Sequence, residues 1–197
     1  MAAILQSLGR TIIAGIILLI LLVLIVSGIT GDSPQFGHAW SAFVMRWLHV
    51  VSGIMWIGLL WYFNFVQIPS MPKIPDEQKP AIGKVIAPTA LFWFRWAALA
   101  TVVTGVLVAW MNQYIGSALT LKQPFVAIGI GMWIALVMAF NVWFIIWPNQ
   151  KKALGIVVVE AAEKAAAARL AMLTSRINTM LSIPMLYMMV AQQNGGL

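Results

Sequence analysis

The sequence predicts an all-α fold, a polytopic bundle of about five transmembrane helices with the N-terminus inside the cell and the C-terminus outside. Of its 197 residues, 62% are hydrophobic and 9% are charged, whereas soluble domains carry about a quarter charged residues. Apolar runs near the length of about 20 residues that crosses a bilayer recur along the chain. We therefore expect a single integral membrane domain over residues 1–197.

Five apolar segments are predicted to span the membrane. Pro148 is expected to stop the fourth of them, because proline breaks a helix interior. The fifth is short and contains Pro184, so we expect it either to be completed by the helical residues before it or to be re-entrant. A cytoplasmic amphipathic helix over residues 157–176, rich in helix formers, is predicted to run into it. The predicted spans are 11–29, 43–66, 87–110, 124–147 and 177–190.

The basic residues predict the orientation. With the N-terminus inside, nine of the twelve Lys and Arg residues face the cytoplasm, two face outward, and Arg95 lies within a span. This bias follows the positive-inside rule. We expect a membrane protein whose basic residues contact anionic lipids and not nucleic acid. The outward residues are Arg46 and Lys122, and the cytoplasmic ones are Arg10, Lys73, Lys79, Lys84, Lys151, Lys152, Lys164, Arg169 and Arg176.

Two types of residue are missing from the sequence or from its predicted spans, and each absence argues against certain classes of function. The sequence contains no cysteine, which excludes disulfides, iron–sulfur clusters, Cys-ligated zinc and haem attached through a CxxCH motif. No Asp or Glu falls within a predicted span, which disfavours a proton pump or a cation-coupled transporter. The five carboxylates, all in predicted loops, are Asp32, Asp76, Glu77, Glu160 and Glu163.

One face of the second span is a candidate haem b site. Arg46, His49, Gly53 and Trp56 recur at helical spacing and share this face. His49 would ligate the haem iron about 9 Å below the outer surface, and Arg46 would pair with a propionate. The alternative is a histidine hydrogen-bonded to a neighbouring helix, with glycines that allow close packing. His38 is the one other histidine, and on a continuous helix it would lie about 16 Å from His49. Unless Gly37 and Ser41 let His38 fold back, the sixth iron ligand is expected to be Met, water or a partner's side chain.

Arg95 is the second candidate site. Placing a basic side chain within a span costs at least about 2.5–3.5 kcal/mol, and no membrane carboxylate is available to pair with it. The predicted partners are the amides of Asn64, Gln67, Asn141 and Asn178. This polar nest either binds an anion, a quinone carbonyl or a propionate, or ties the helices together by hydrogen bonds.

Three stretches, read in order, carry a family resemblance: RWLHVVSGIMWIG (46–58), NVWFIIWPNQK (141–151) and SRINTMLSIPM (175–185). Together they resemble the membrane domain of the bacterial membrane-bound urate hydroxylase family, also called the urate oxidase N-terminal domain. The resemblance covers roughly residues 44–190. It implies a role in urate oxidation, with electrons passing to a cytochrome c. The matching positions are Arg46, His49, Trp56, Asn141, Trp147, Pro148, Asn149, Gln150, Arg176, Asn178 and Pro184.

The sequence departs from this family in one respect that shapes the functional hypothesis. Family members end with a CxxCH-bearing cytochrome c domain, whereas this sequence has no cysteine. We expect a shortened relative, a redox-associated membrane protein that binds haem b or a quinone-like ligand and works with a separate electron carrier. The alternative is a non-catalytic accessory subunit of a larger membrane bioenergetic complex. A urate-oxidising enzyme is a third interpretation, for which the sequence shows no distinctive catalytic constellation.

Overall fold

A computed structural model describes residues 2–196, and over that range the chain is helical and contains no β-strand. The prediction of an all-α, polytopic helix bundle is confirmed. The chain forms two compact units that divide after Ser41, and each is described by itself. The single integral membrane domain and the direction of insertion stay predictions.

The first unit contains α1 (Ala2–Leu5) and α2 (Leu8–Thr30). The 23 residues of α2 are long and apolar enough to cross a membrane, and none of them is buried. The helix ends at Gly31, whose φ of 75° lies in the left-handed region that glycine adopts without strain. The Gly31 N–H donates to the carbonyl oxygen of Ser27 at 3.0 Å, a common way to end a helix.

Three further helical runs are long and apolar enough to cross a membrane, so four such runs lie within residues 2–196. The first, His38–Lys73, comprises α3 (His38–Trp61), a π-helical segment (Tyr62–Gln67), α4 (Ile68–Ser70) and a 3₁₀ turn (Met71–Lys73). The second, Lys79–Met111, comprises α5 (Lys79–Ala81), a π-helical segment (Ile82–Ile86) and α6 (Ala87–Met111). After the short α7 (Ile115–Leu119), the third, Val126–Ala153, comprises α8 (Val126–Phe140), a π-helical segment (Asn141–Ile146) and α9 (Trp147–Ala153).

Each of these three runs contains a π-helical segment that ends two residues before a proline. Proline has no N–H, and its ring collides with the carbonyl group four residues earlier, so a wider turn lets the helix continue past it. Pro148 therefore does not stop the fourth predicted span, and the helix continues to Ala153. The segments and their prolines are Tyr62–Gln67 with Pro69, Ile82–Ile86 with Pro88, and Asn141–Ile146 with Pro148.

The last helix, α10, runs without a break from Ala161 to Asn194. It joins the predicted cytoplasmic helix and the fifth predicted segment into one element of 34 residues, about 51 Å long. α10 is not among the four runs that qualify as spans by hydropathy, because small and polar residues form the seam that packs along α8 and α9. Buried residues of this seam include Ala167, Ala171, Ser175, Asn178 and Ser182.

The core of the second unit lies where α3, α6, α8 and α10 meet. Apolar side chains from all four helices form one buried cluster. It is continuous with the buried polar side chains of α10, so the middle of the unit combines apolar packing with hydrogen bonds between helices. The largest fully buried side chains are Trp56, Leu60, Phe94, Met138, Val142, Asn178 and Ser182.

Candidate functional site

His49 is held between α3 and α6 by its Nδ1 atom. Nδ1 lies 2.9 Å from the carbonyl oxygen of Thr101 and 3.3 Å from the hydroxyl oxygen of Thr104. A carbonyl can only accept, so Nδ1 carries the proton, and the neutral ring keeps its lone pair on Nε2. Gly105 makes room for the ring, because a Cβ atom there would lie 2.8 Å from Cε1 of His49.

The other residues of the predicted haem face lie in different surroundings. Gly53 faces α6, since a Cβ atom there would approach the Thr101 side chain at 3.9 Å. Trp56 is fully buried, and its indole N–H has no hydrogen-bond partner. Arg46 donates from a terminal nitrogen to Oε1 of Gln193 at 3.3 Å. Gly53 and Trp56 therefore lie in a helix–helix contact, whereas Arg46 and His49 lie nearer the N-terminus of α3.

The predicted asparagines pair with each other and with α10. Asn141 donates from Nδ2 to Oδ1 of Asn178 at 2.8 Å, and Asn178 donates to the carbonyl oxygen of Met138 at 2.9 Å. Asn64 donates to the carbonyl oxygen of Leu60 at 2.9 Å and to the hydroxyl of Ser175 at 2.8 Å. These bonds tie α10 to the two π-helical segments that contain Asn64 and Asn141.

Replacing Asn178 with alanine should lower the free energy of unfolding by about 1–2 kcal/mol, because Asn141 loses its acceptor and Met138 its side-chain donor. Tryptophan fluorescence during thermal unfolding in detergent measures the change. Asn194→Ala is the matched control, since Asn194 is exposed and donates within its own helix, to the carbonyl oxygen of Val190. Equal midpoints for the two variants would contradict a stabilising role for the Asn141–Asn178 pair.

Arg95 makes none of the predicted hydrogen bonds to these amides. Its guanidinium carbon lies 3.8 Å from the ring centroid of Trp147 and 5.5 Å from that of Phe92. One terminal nitrogen, Nη1, is buried and has no hydrogen-bond partner. The structure therefore gives Arg95 aromatic neighbours, and the predicted polar nest separates into an amide cluster and an arginine–tryptophan contact.

A cavity of about 220 Å³ opens at the end of the bundle that the charge distribution assigns to the cytoplasm. Its walls are mostly apolar side chains from four helical runs, and its polar members are Gln67, Gln150 and Ser175. Among the described residues that line it, none is charged. Oε1 of Gln67 is buried without a hydrogen-bond donor, and so is Oδ1 of Asn64, one turn earlier on the same run.

Sequence reasoning did not identify this cavity, although it named Gln67 as a partner for Arg95. Each glutamine lies two residues from the proline of a π-helical segment, Gln67 before Pro69 and Gln150 after Pro148. A polar amide beside a proline at the inner end of an apolar span was the available signal. This signal does not show that Gln67 and Gln150 line the same space, or that a cavity remains between them.

These features define a class, a polytopic helical membrane protein with a small, uncharged cavity at one end of its bundle. The urate oxidase N-terminal family model matches residues 122–195, a segment that includes α8, α9 and α10. The family resemblance is thus confirmed for this part of the chain, while the motif at 46–58 lies outside the match. No curated protein and no solved structure matches the chain.

Proposed function

We propose that this chain is a redox-associated protein of the bacterial inner membrane whose cavity binds the neutral headgroup of a quinone-class molecule. The observation that carries this proposal is the buried, unpartnered carbonyl oxygen of Gln67 at an uncharged cavity. Leaving a buried acceptor unpaired costs about 1–3 kcal/mol. The O–H group of a hydroquinone supplies the missing donor, and the amide of Gln150 offers N–H groups to an oxygen of the ring.

The size of the cavity supports a ring-sized ligand. Sites for drug-sized ligands usually measure about 300–1,000 Å³, and this cavity, at about 220 Å³, is smaller. It has room for a substituted six-membered ring and not for a macrocycle such as haem. Phe63, Phe94 and Met172 are among the apolar side chains that would contact the faces of the ring.

The charge of the cavity favours a neutral headgroup over urate, to which the name of the matched family refers. Urate is an anion at neutral pH, and proteins bind anionic oxygens with charged donors or clustered N–H groups. The described lining of the cavity carries no charge. Its unsatisfied polar atom, Oε1 of Gln67, is an acceptor, so it favours a ligand that donates a hydrogen bond.

Redox chemistry at this site needs a second protein. Oxidation of a hydroquinone to its quinone releases two electrons and two protons. The described cavity lining holds no titratable side chain, so the protons would leave through water at the cavity mouth. The electrons would pass to a separate carrier, either a cytochrome c or a larger membrane complex that binds this chain.

Extraction of the purified protein tests this proposal. Protein isolated in a mild detergent is extracted with organic solvent, and the extracted quinones are quantified against protein by chromatography. We expect a near-stoichiometric quinone or hydroquinone that repeated washing of the immobilised protein does not remove. Absence of any quinone, together with stoichiometric co-purification with a large assembly, would contradict the proposal and favour the accessory subunit.

Haem b on His49 is a second candidate, favoured by the hydrogen bond from Nδ1 to the Thr101 carbonyl. Iron-ligating histidines characteristically donate their other ring N–H to a carbonyl or carboxylate, which leaves Nε2 for the metal. Because Trp56 is buried, a haem would lie at the N-terminal end of this face, with His49 as ligand and Arg46 beside a propionate. A bound haem would supply one-electron transfer.

His49→Ala should abolish the Soret and α bands of the purified protein if His49 ligates haem, because the variant removes the ligating nitrogen. Absorption spectra of the oxidised and the dithionite-reduced protein measure this. His38→Ala is the matched control and should leave both bands unchanged. A wild-type protein without a Soret band, expressed with added haem precursor, would contradict the haem assignment and leave His49 as a tie between helices.

A further inference from the structure

The indole ring of Trp147 lies against two cationic side chains. The guanidinium carbon of Arg95 is 3.8 Å from its centroid, and Nζ of Lys151, one helical turn after Trp147, is 5.7 Å away. Cations over an indole face are attracted by the ring quadrupole. Two positive groups beside one ring also repel each other. A nearby negative charge would therefore stabilise the cluster formed by Arg95, Trp147 and Lys151.

The part of the chain that the structure describes does not provide that charge. Within residues 2–196 the ion pairs join Lys79 to Asp76 and Lys152 to Glu163, so no described carboxylate pairs with Arg95 or Lys151. Lys152, the immediate neighbour of Lys151, already has a partner. The positive charge of the cluster is therefore left for an anion from outside the chain to balance.

Two buried donors point to the same conclusion. Nη1 of Arg95 and Nε1 of Trp143, one turn before Trp147, are buried and lack hydrogen-bond acceptors. Trp96 packs edge-on against Trp143 at a centroid distance of 5.4 Å and is itself 45% exposed. Phe92, the other ring beside Arg95, is also 45% exposed. Cations and unsatisfied donors thus lie next to an exposed aromatic surface.

We propose that this cluster binds the headgroup phosphate of an anionic phospholipid in the cytoplasmic leaflet. A phosphodiester offers several acceptor oxygens and one negative charge, which match the two cations and the unpaired N–H groups. The exposed rings of Phe92 and Trp96 provide a surface for its acyl chains. Basic pockets between helices on the cytoplasmic side are a general form of lipid headgroup site.

The depth of Arg95 agrees with this assignment. Arg95 contacts Trp147, which lies six residues, about 9 Å, before Ala153 at the end of its run, and helical side chains lean toward the N-terminus. The predicted orientation places the N-terminus of α6 at the cytoplasmic side, so the guanidinium extends toward the headgroup region. Lys151 lies at the matching end of its own run, two residues before Ala153.

Lipid binding to the purified full chain tests this inference. Native mass spectrometry is performed with dioctanoyl phosphatidylglycerol, with dioctanoyl phosphatidylcholine, and with inorganic phosphate in parallel. We expect phosphatidylglycerol to bind at least about tenfold more tightly than phosphatidylcholine, and phosphate alone to bind negligibly. Equal binding of the two lipids would overturn the proposal, and saturable binding of phosphate alone would overturn the lipid as its source.

Matched lysine variants make the result specific to this cluster. Lys151→Gln should weaken phosphatidylglycerol binding about fivefold, because one basic side chain near a lipid headgroup contributes on that order. Lys152→Gln removes the same charge one residue later, from a side chain that pairs with Glu163, and should leave binding within about twofold. Both lysines are at the helix surface, so neither variant should prevent folding. Equal losses in the two variants would overturn the site.

Discussion

Replacing Gln67 with leucine is expected to weaken hydroquinone binding at least about tenfold and, at the same time, to stabilise the empty protein. The binding loss follows from removing one hydrogen bond worth about 1.4 kcal/mol. The stabilisation, about 1 kcal/mol, follows because Oε1 of Gln67 is buried without a donor and leucine fills a similar volume without that cost. A purely structural glutamine would not give opposite signs in the two measurements.

Two measurements on the same preparations separate these effects. Isothermal titration with a short-tailed hydroquinone gives the affinity, and thermal unfolding in detergent without ligand gives the stability. Gln78→Leu is the matched control, since Gln78 is exposed in the loop before α5. It should change neither quantity. A Gln67→Leu protein that is less stable than wild type, or that binds hydroquinone equally well, would refute a ligand-binding role for this amide.

Gly129→Ala should destabilise the protein by about 3 kcal/mol or more. Gly129 is buried in α8, and a Cβ atom there would collide with the backbone carbonyl oxygen of Ala118 in α7. Overpacking against a side chain costs typically about 1–3 kcal/mol, and a backbone oxygen in a helix yields less readily than a side chain. Trp133, whose indole donates to the Leu119 carbonyl at 3.1 Å, also holds α7 against α8.

The matched control has the opposite expected sign. Gly58 is exposed in α3, and a Cβ atom there would meet nothing within 4 Å. Gly58→Ala should therefore stabilise the helix by about 0.5–1 kcal/mol, because alanine loses less backbone entropy than glycine. Thermal unfolding in detergent compares both variants with wild type. An unchanged midpoint for Gly129→Ala would contradict the close contact between α7 and α8.

Hydropathy identified α2 and α6 as candidate membrane spans but did not identify α10. The apolar runs at 11–29 and 87–110 lie within α2 and α6, although the helical run that contains α6 begins earlier, at Lys79. The sequence did predict that the helix over 157–176 runs into the fifth segment, as α10 does. α10 nevertheless does not qualify as a span by hydropathy, because polar residues such as Asn178 and Ser182 lie along it. The continuation of a helix past Pro148 was missed because a π-helical turn can absorb the proline ring.

The sequence predicted which residues belong to the candidate sites but not which contacts those residues make. The histidine interpretation allowed a hydrogen bond to a neighbouring helix, and the bond between His49 and Thr101 is present. Of the amide partners proposed for Arg95, Asn141 and Asn178 instead bond to each other, and Asn64 donates to Leu60 and Ser175. The spacing of residues along one chain does not show which of several polar groups will pair across helices. The cavity at Gln67 arises from the packing of four runs, which no single stretch of sequence displays.

The most direct test of the cavity's role is a calorimetric titration of the purified wild-type protein with two ligands, a short-tailed hydroquinone and urate. An uncharged cavity with the unpaired acceptor oxygen of Gln67 predicts saturable binding of the hydroquinone at one site per chain and no binding of urate. Saturable binding of urate with no binding of the hydroquinone would contradict the neutral-headgroup site and favour urate chemistry.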